Sequence, residues 1–308
     1  MDMPEQEYPI LHPEYSPVLT FLYQNLPFLS IFIGCPMNIY AIRTLQNAYH
    51  LPIRGLAMLW CSCNFLSILV VESLFLYESH SEEWSLGGFA CKLYKSFSML
   101  PVCINPWFVV ASVVSFSRLL PLRGTITWIL ATLTASPLVY MFYMYGNLET
   151  TNDVGALNLT VSSCAHAASK DEFYWTNVLS FILYFNTPVV VAFCFLVFSY
   201  QLQQNKTAEW SFGYKIVRSL FLSQCLCWLP HWVDLFYLTK ANDAFSDTTL
   251  AFLVVEAFVF LHIGVLVPLT LRQYALRYSD LSVHLNPLEP TVSVAELHGV
   301  QEEPKDWP

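Results

Sequence analysis

Charge is scarce in this chain. Only 12% of its 308 residues are Asp, Glu, Lys or Arg, and bases are the scarcer kind, 14 against 23 acids. A water-soluble domain carries about a quarter charged residues. Half that proportion leaves too little polar side chain to cover a solvated surface, which argues against a soluble cytosolic enzyme and against a disordered chain. The shortage of bases removes the footprint of a nucleic-acid binder, so no nucleic acid is expected as a partner. The first 17 residues are acidic and lack a basic leader, so no cleavable signal peptide is expected and the first helix is expected to direct its own insertion. The sequence has no Gly-rich phosphate loop, no Ser/His/Asp order and no Cys/His metal spacing. Neither enzyme activity nor a cofactor or metal is expected.

Apolar residues make up 55% of the chain and aromatics 16%. A membrane span needs about 20 mostly apolar residues. Seven stretches qualify, at roughly 18–43, 55–78, 88–120, 125–146, 174–201, 211–238 and 246–271. They are too long for barrel strands and lack strict alternation. Helices are the remaining way to satisfy a backbone in lipid. The expected fold is therefore all-α: a seven-transmembrane helix bundle embedded in membrane lipid, with a short amphipathic segment after helix 7. The division is an acidic outer arm at 1–17, a transmembrane domain at 18–278 and a disordered inner tail at 279–308.

Lys and Arg set the orientation. With the N-terminus outside, the inner segments hold ten of these residues and the outer side holds four, Lys92, Lys95, Lys170 and Lys240. Thirteen acids then fall outside, spread over every outer segment. A negative rim attracts a basic ligand and speeds its encounter; the competing reading is plain solvation of the loops. Asn158-Leu159-Thr160 is a glycosylation sequon in the longest outer loop. Asn205-Lys206-Thr207 falls inside and is expected to stay bare. Of nine cysteines, only Cys91 and Cys164 lie at or beyond the outer helix ends, where oxidising conditions allow pairing. The other seven sit in helices, where cysteine acts as a small apolar packer.

Several motifs resemble those of rhodopsin-like G-protein-coupled receptors. Trp84-Ser85-Leu86-Gly87 precedes Cys91 as a Trp-x-Phe-Gly turn does in that family. Asn38, Trp128 with Pro137, and Pro188 look like the landmarks of helices 1, 4 and 5. Cys227-Trp228-Leu229-Pro230 is similar to the helix-6 Cys-Trp-x-Pro element. A mid-helix proline kinks a helix, and Pro230 would let the inner half of span six swing.

Within that family the chain looks most like a CXC-type chemokine receptor. Glu256, Phe260 and His262 keep that group's Glu-x3-Phe-x-His spacing. An intramembrane acid is functional by default because burying an unpaired carboxylate is costly. The resemblance implies that Glu256 receives a basic group of a chemokine, with Asp234 and Glu72 near the same pocket mouth. The competing reading is a structural pair with a neighbouring helix. Tyr8 and Tyr15 are acid-flanked tyrosines in the N-terminal arm, a sulfation pattern that would add negative charge for a basic partner. His231 and His262 are expected to be packed or pocket-lining. The implied partners are a chemokine and a heterotrimeric G protein.

The pattern breaks in several places. The place of the helix-3 Asp-Arg-Tyr holds Ser115-Phe116-Ser117, and Arg118 follows as a possible stand-in. Asn64 stands where the helix-2 aspartate belongs, and the helix-7 Asn-Pro-x2-Tyr reads Val267-Pro268-Leu269-Thr270-Leu271. Pro101 and Pro106 are expected to interrupt span three. The lost groups are ones that lock an inactive state, which points to ligand-independent signalling. The opposite outcome is a chemokine decoy without G-protein coupling. Virus-encoded receptors lose such landmarks together, and Cys91-Lys92-Leu93 with Asn105-Pro106-Trp107 is similar to gammaherpesvirus chemokine-receptor-like proteins. That resemblance implies action in the host cell membrane. The tail has few Ser and Thr, so weak arrestin recruitment is expected.

Overall fold

The computed structural model describes residues 21, 25–48, 51, 53–80, 84–117, 145–154, 157–166, 170–202, 208–240 and 248–285. The elements are α1 (Cys35–Asn47), α2 (Arg54–His80), α3 (Gly87–Ser117), β1 (Tyr145–Val154), β2 (Leu157–His166), α4 (Lys170–Phe181), α5 (Thr187–Leu202), α6 (Ala208–Lys240), α7 (Thr248–Phe260) and α8 (Val267–Leu285).

Among the described residues, five helical stretches are long and apolar enough to cross a membrane: Asn25–Asn47, Arg54–Glu78, Gly87–Phe116, Tyr174–Gln201 and Leu253–Ser279. Their outward faces are apolar, with Phe32, Leu66, Trp175 and Phe193 all exposed. Water does not tolerate so much contiguous apolar surface. The chain is a membrane-embedded, multi-pass protein. The 33-residue α6 packs within the same bundle, although it is not one of the five.

Three of the spans contain a widened turn, and each has the same cause. The π-helical segments Ser30–Gly34, Ile182–Asn186 and Leu261–Leu266 each lead into a proline near the start of the next helix: Pro36, Pro188 and Pro268. Proline donates no backbone N–H and its ring crowds the carbonyl four residues earlier. Those carbonyls belong to Phe32, Tyr184 and Gly264, and all three lie inside the π segments. The helix widens there rather than breaking. Pro101 and Pro106, expected to interrupt span three, do not do so. Both sit inside the continuous α3, because neighbouring elements re-satisfy freed backbone groups within a bundle.

α3 is the central strut. Of its apolar window 78% is buried, against 22–39% for the other four spans. It packs on α2, α5, α6 and β1, while α1 joins α2 to α8 and closes the ring. The core forms three layers along the bundle axis. One is built around Trp60, Phe108, Leu220 and Leu271. The middle layer holds Ile68, Trp228, Trp232 and Ile263. The third holds Trp84, Tyr94, Cys91 and Cys164.

The all-α expectation needs one amendment. β1 and β2 form an antiparallel hairpin, with Tyr145 opposite His166 and Val154 opposite Leu157. β-Branched Thr150, Thr151, Thr160 and Val161 favour extended backbone, and the polar strands suit a solvated loop. The hairpin also shortens the expected fourth span. Tyr145 and Gly146 are strand residues, so a span over 125–146 ends by 144; the rest of it, with Trp128 and Pro137, lies outside the described residues. At the other end α8 is helical through Leu285, so residues 279–285 of the expected tail continue the last span as one helix.

Candidate functional site

The disulfide end of the bundle is organised by a turn and a covalent bond. Gly87 has φ +77°, in the left-handed region that a Cβ disfavours. This reverses the chain between Trp84 and α3. The indole N–H of Trp84 then donates to the Gly87 carbonyl at 2.9 Å. The Trp84 ring stacks on Tyr94 at 5.9 Å and meets the Tyr77 ring edge at 6.2 Å. Cys91 and Cys164 are joined by a disulfide, which fastens β2 to the start of α3. Asn158 lies in β2, opposite Asp153.

The expected ligand acids come together near this end. Glu256 on α7 lies within electrostatic reach of Glu72 on α2 and Asp234 on α6. All three are half-buried, and Glu72 lies beside Ser30 and Cys35 of the first span. None of the three is paired with a Lys or Arg among the described residues. Nor do those residues include a His, Cys, Asp and Glu grouping able to hold a metal ion. Three acids converge here without a fixed counter-ion, and a cationic group entering among them would favour their charged forms.

Beneath the acids lies an aromatic layer. Trp228 and His262 are fully buried, and the indole N–H donates to His262 Nδ1 at 3.0 Å. His231 meets Trp228 and Trp232 edge-on, each at 5.6 Å. Trp232 packs in turn on Phe181 and Phe185, at 5.5 and 6.2 Å. Pro230 sits inside α6 within this layer. Both histidines, expected to be packed or pocket-lining, are packed among these rings; the Trp228–His262 bond itself was not legible in the motifs.

A polar seam continues away from the disulfide end. Asn38, fully buried, donates from its amide to the Gly34 carbonyl at 2.9 Å and the Ile263 carbonyl at 3.0 Å. This ties the first span to the last at its widened turn, where Gly34 and Gly264 allow the helices to touch: a Cβ on either would lie 3.3 Å from the Cα of the other. Asn64 is buried on α2. One turn earlier, Trp60 donates to Asn105 Oδ1 and stacks on Phe108 at 5.3 Å. The Trp60–Asn105 pair escaped sequence reasoning, because nothing in the spacing of two separate spans links them. Pro268 is buried near the start of α8.

The far end of α3 is aromatic. Phe116 packs on Trp210 at 6.0 Å, and its ring fills the space above Gly213, where a Cβ would come within 2.2 Å of it. Trp210 stacks on Tyr214, which meets Tyr200 at 5.8 Å. Of the remaining expected site residues, Tyr8, Tyr15 and Arg118 lie outside the described residues, as does the Asn205 sequon.

No protein-family model matches the chain, and no curated protein sequence matches it.

Proposed function

We propose that this chain is a rhodopsin-like, seven-helix G-protein-coupled receptor of the CXC chemokine-receptor type. On this reading its N-terminus is outside and it acts in the plasma membrane, the host cell's membrane if the chain is virus-encoded. The observation that carries the reading is the convergence of Glu256, Glu72 and Asp234 from three helices, with no basic partner among the described residues, above a tryptophan layer centred on Trp228. A basic chemokine segment supplies the missing counter-charge. The acidic arm with Tyr8 and Tyr15 makes the first contact, and Glu256 takes a cationic side chain or terminus in the bundle.

Contact with Glu256 bears on α7 and, through the Trp228–His262 bond, on α6. Pro230 then serves as the hinge about which the far half of α6 moves to admit a heterotrimeric G protein. The replacements Asn64, Phe116 and Pro268-Leu269-Thr270-Leu271 remove groups that hold such receptors inactive. The gap between the two states narrows, and part of the population signals without ligand.

The test is nucleotide exchange on purified G protein, using membranes that carry the chain, first alone and then with a panel of CXC chemokines. Basal exchange that chemokine modulates, and that loses the modulation in Glu256→Gln, is the expected result. Chemokine capture without exchange would make the protein a decoy. Exchange driven by an unrelated peptide, with no chemokine binding, would make it a peptide receptor of another group.

A further inference from the structure

The end of the bundle away from the disulfide carries a second site, unconnected with the acids. Residues of α1 and α8 line a cleft of about 310 Å³ there. Tyr40, Arg43 and Asn47 line one wall, Leu276 lines the other, and Ala48 and Ala275 line the cleft between them. Both alanines are buried, at 8% and 1% exposure. A longer side chain at either position would fill the space.

The chemistry of the walls is one-sided. Arg43 and Asn47 are four residues apart, so they share one face of α1. Arg43 is exposed and has no hydrogen bond or ion pair among the described residues. A second guanidinium, that of Arg272, does not line the cleft itself but is fixed on Tyr40, which does. Arg272 lies over the Tyr40 ring, 4.3 Å from its centre, and donates from Nη2 to the Tyr40 hydroxyl at 2.9 Å. Its Nε is buried and has no acceptor among the described residues. No carboxylate is among the described residues that line the cleft. One guanidinium in the lining and a second pinned on its Tyr40 wall, each with Nη protons beyond the bond to Tyr40, match the tetrahedral oxygens of a phosphate.

The surroundings indicate where such a phosphate comes from. Ile39 and Leu276 are exposed on the same two helices, at 39% and 43%. Both belong to stretches long and apolar enough to cross the membrane. The cleft therefore sits where a span passes from acyl chains to headgroups. Basic pockets between spans at that depth hold anionic headgroups.

We propose that this cleft binds the phosphorylated headgroup of an anionic phospholipid, with Arg43 and Arg272 as the phosphate ligands and Leu276 and Ile39 against the acyl chains. Binding there braces α1 against α8, the contact that closes the ring of helices.

The test uses the full chain in nanodiscs of phosphatidylcholine, with or without phosphatidylinositol bisphosphate, and reads retained lipid by native mass spectrometry. The phosphoinositide should be retained in preference to phosphatidylcholine. Arg43→Ala should lower that retention roughly five- to tenfold without changing the melting temperature in phosphatidylcholine alone, since Arg43 has no partner among the described residues to lose. Arg272→Lys, which keeps the charge but loses the planar fork, should lower it as well. Equal retention of both lipids, or an Arg43→Ala variant that binds like the wild type, would overturn the proposal. Soluble inositol trisphosphate forms the last arm: no binding supports the lipid assignment, and binding as tight as the lipid's overturns it in favour of a free phosphate.

Discussion

The indole of Trp228 donates its N–H to Nδ1 of His262 at 3.0 Å, and both side chains are buried at the centre of the bundle. The bond joins α6 to the widened turn of the last span. His262 therefore carries its ring proton on Nε2, because Nδ1 is the acceptor.

Trp228→Phe leaves His262 Nδ1 buried and unpaired. It should destabilise the protein by about 1–3 kcal/mol. His262→Phe should cost a similar amount, and the double variant less than the sum of the two. Thermal unfolding of the four proteins in nanodiscs measures that coupling. A strictly additive cycle would show that the bond contributes nothing.

A glycine in the last span should differ sharply from one at the start of α2. A Cβ at Gly264 would stand 2.6 Å from the Phe260 ring, whereas one at Gly55 meets nothing within 4 Å. Gly264→Ala should destabilise by about 1–3 kcal/mol through overpacking. Gly55→Ala should be neutral or stabilise by up to about 1 kcal/mol, because glycine is a poor helix former. Melting temperatures of the two variants give the comparison.

At the far end of α3, Phe116 and Gly213 form a matched large and small pair. Gly213→Ala must displace the Phe116 ring and so loosen α3 from α6. Adding Phe116→Ala removes the clash. The expected pattern is that the double variant is less destabilised than the sum of the singles. On the proposed receptor reading, basal nucleotide exchange measured beside the melting curves should rise in Gly213→Ala.

The disulfide closes a sequence separation of 73 residues. A loop of that length corresponds to about 4 kcal/mol in the chain-entropy account. Cys164→Ser should lower the melting temperature and abolish its sensitivity to reductant. A wild type whose melting does not respond to reductant would show that the hairpin holds its place without the bond.

Much of this was legible because a bilayer is a simple solvent. The apolar runs that satisfy its thickness can be counted, and the helices Arg54–His80 and Gly87–Ser117 fall within a few residues of the stretches expected from hydropathy. Cys91 and Cys164 stood out because they alone lay at the oxidising ends. Glu256 stood out because an acid in an apolar helix is rare, and Glu72 and Asp234 were expected near it. The hairpin was missed because its alternation is weak and polar. The π segments were missed although their signal was present: Pro36, Pro188 and Pro268 each mark a carbonyl four residues earlier that has lost its donor.

By itself, then, the sequence determined that the chain enters a membrane, where five of its described helical stretches run, which cysteines can pair and which acids are out of place. Each of these depends on one residue measured against its solvent, and composition and spacing report that directly. Only the tertiary structure decided that Asn38 holds the Ile263 carbonyl, that Trp60 bonds Asn105, that Phe116 lies on Gly213 and that Arg272 is pinned on Tyr40. In each pair the partners lie on different helices, up to 232 residues apart. Which faces meet is set by how helices of this length and bulk pack around α3, and no period within a single helix encodes it.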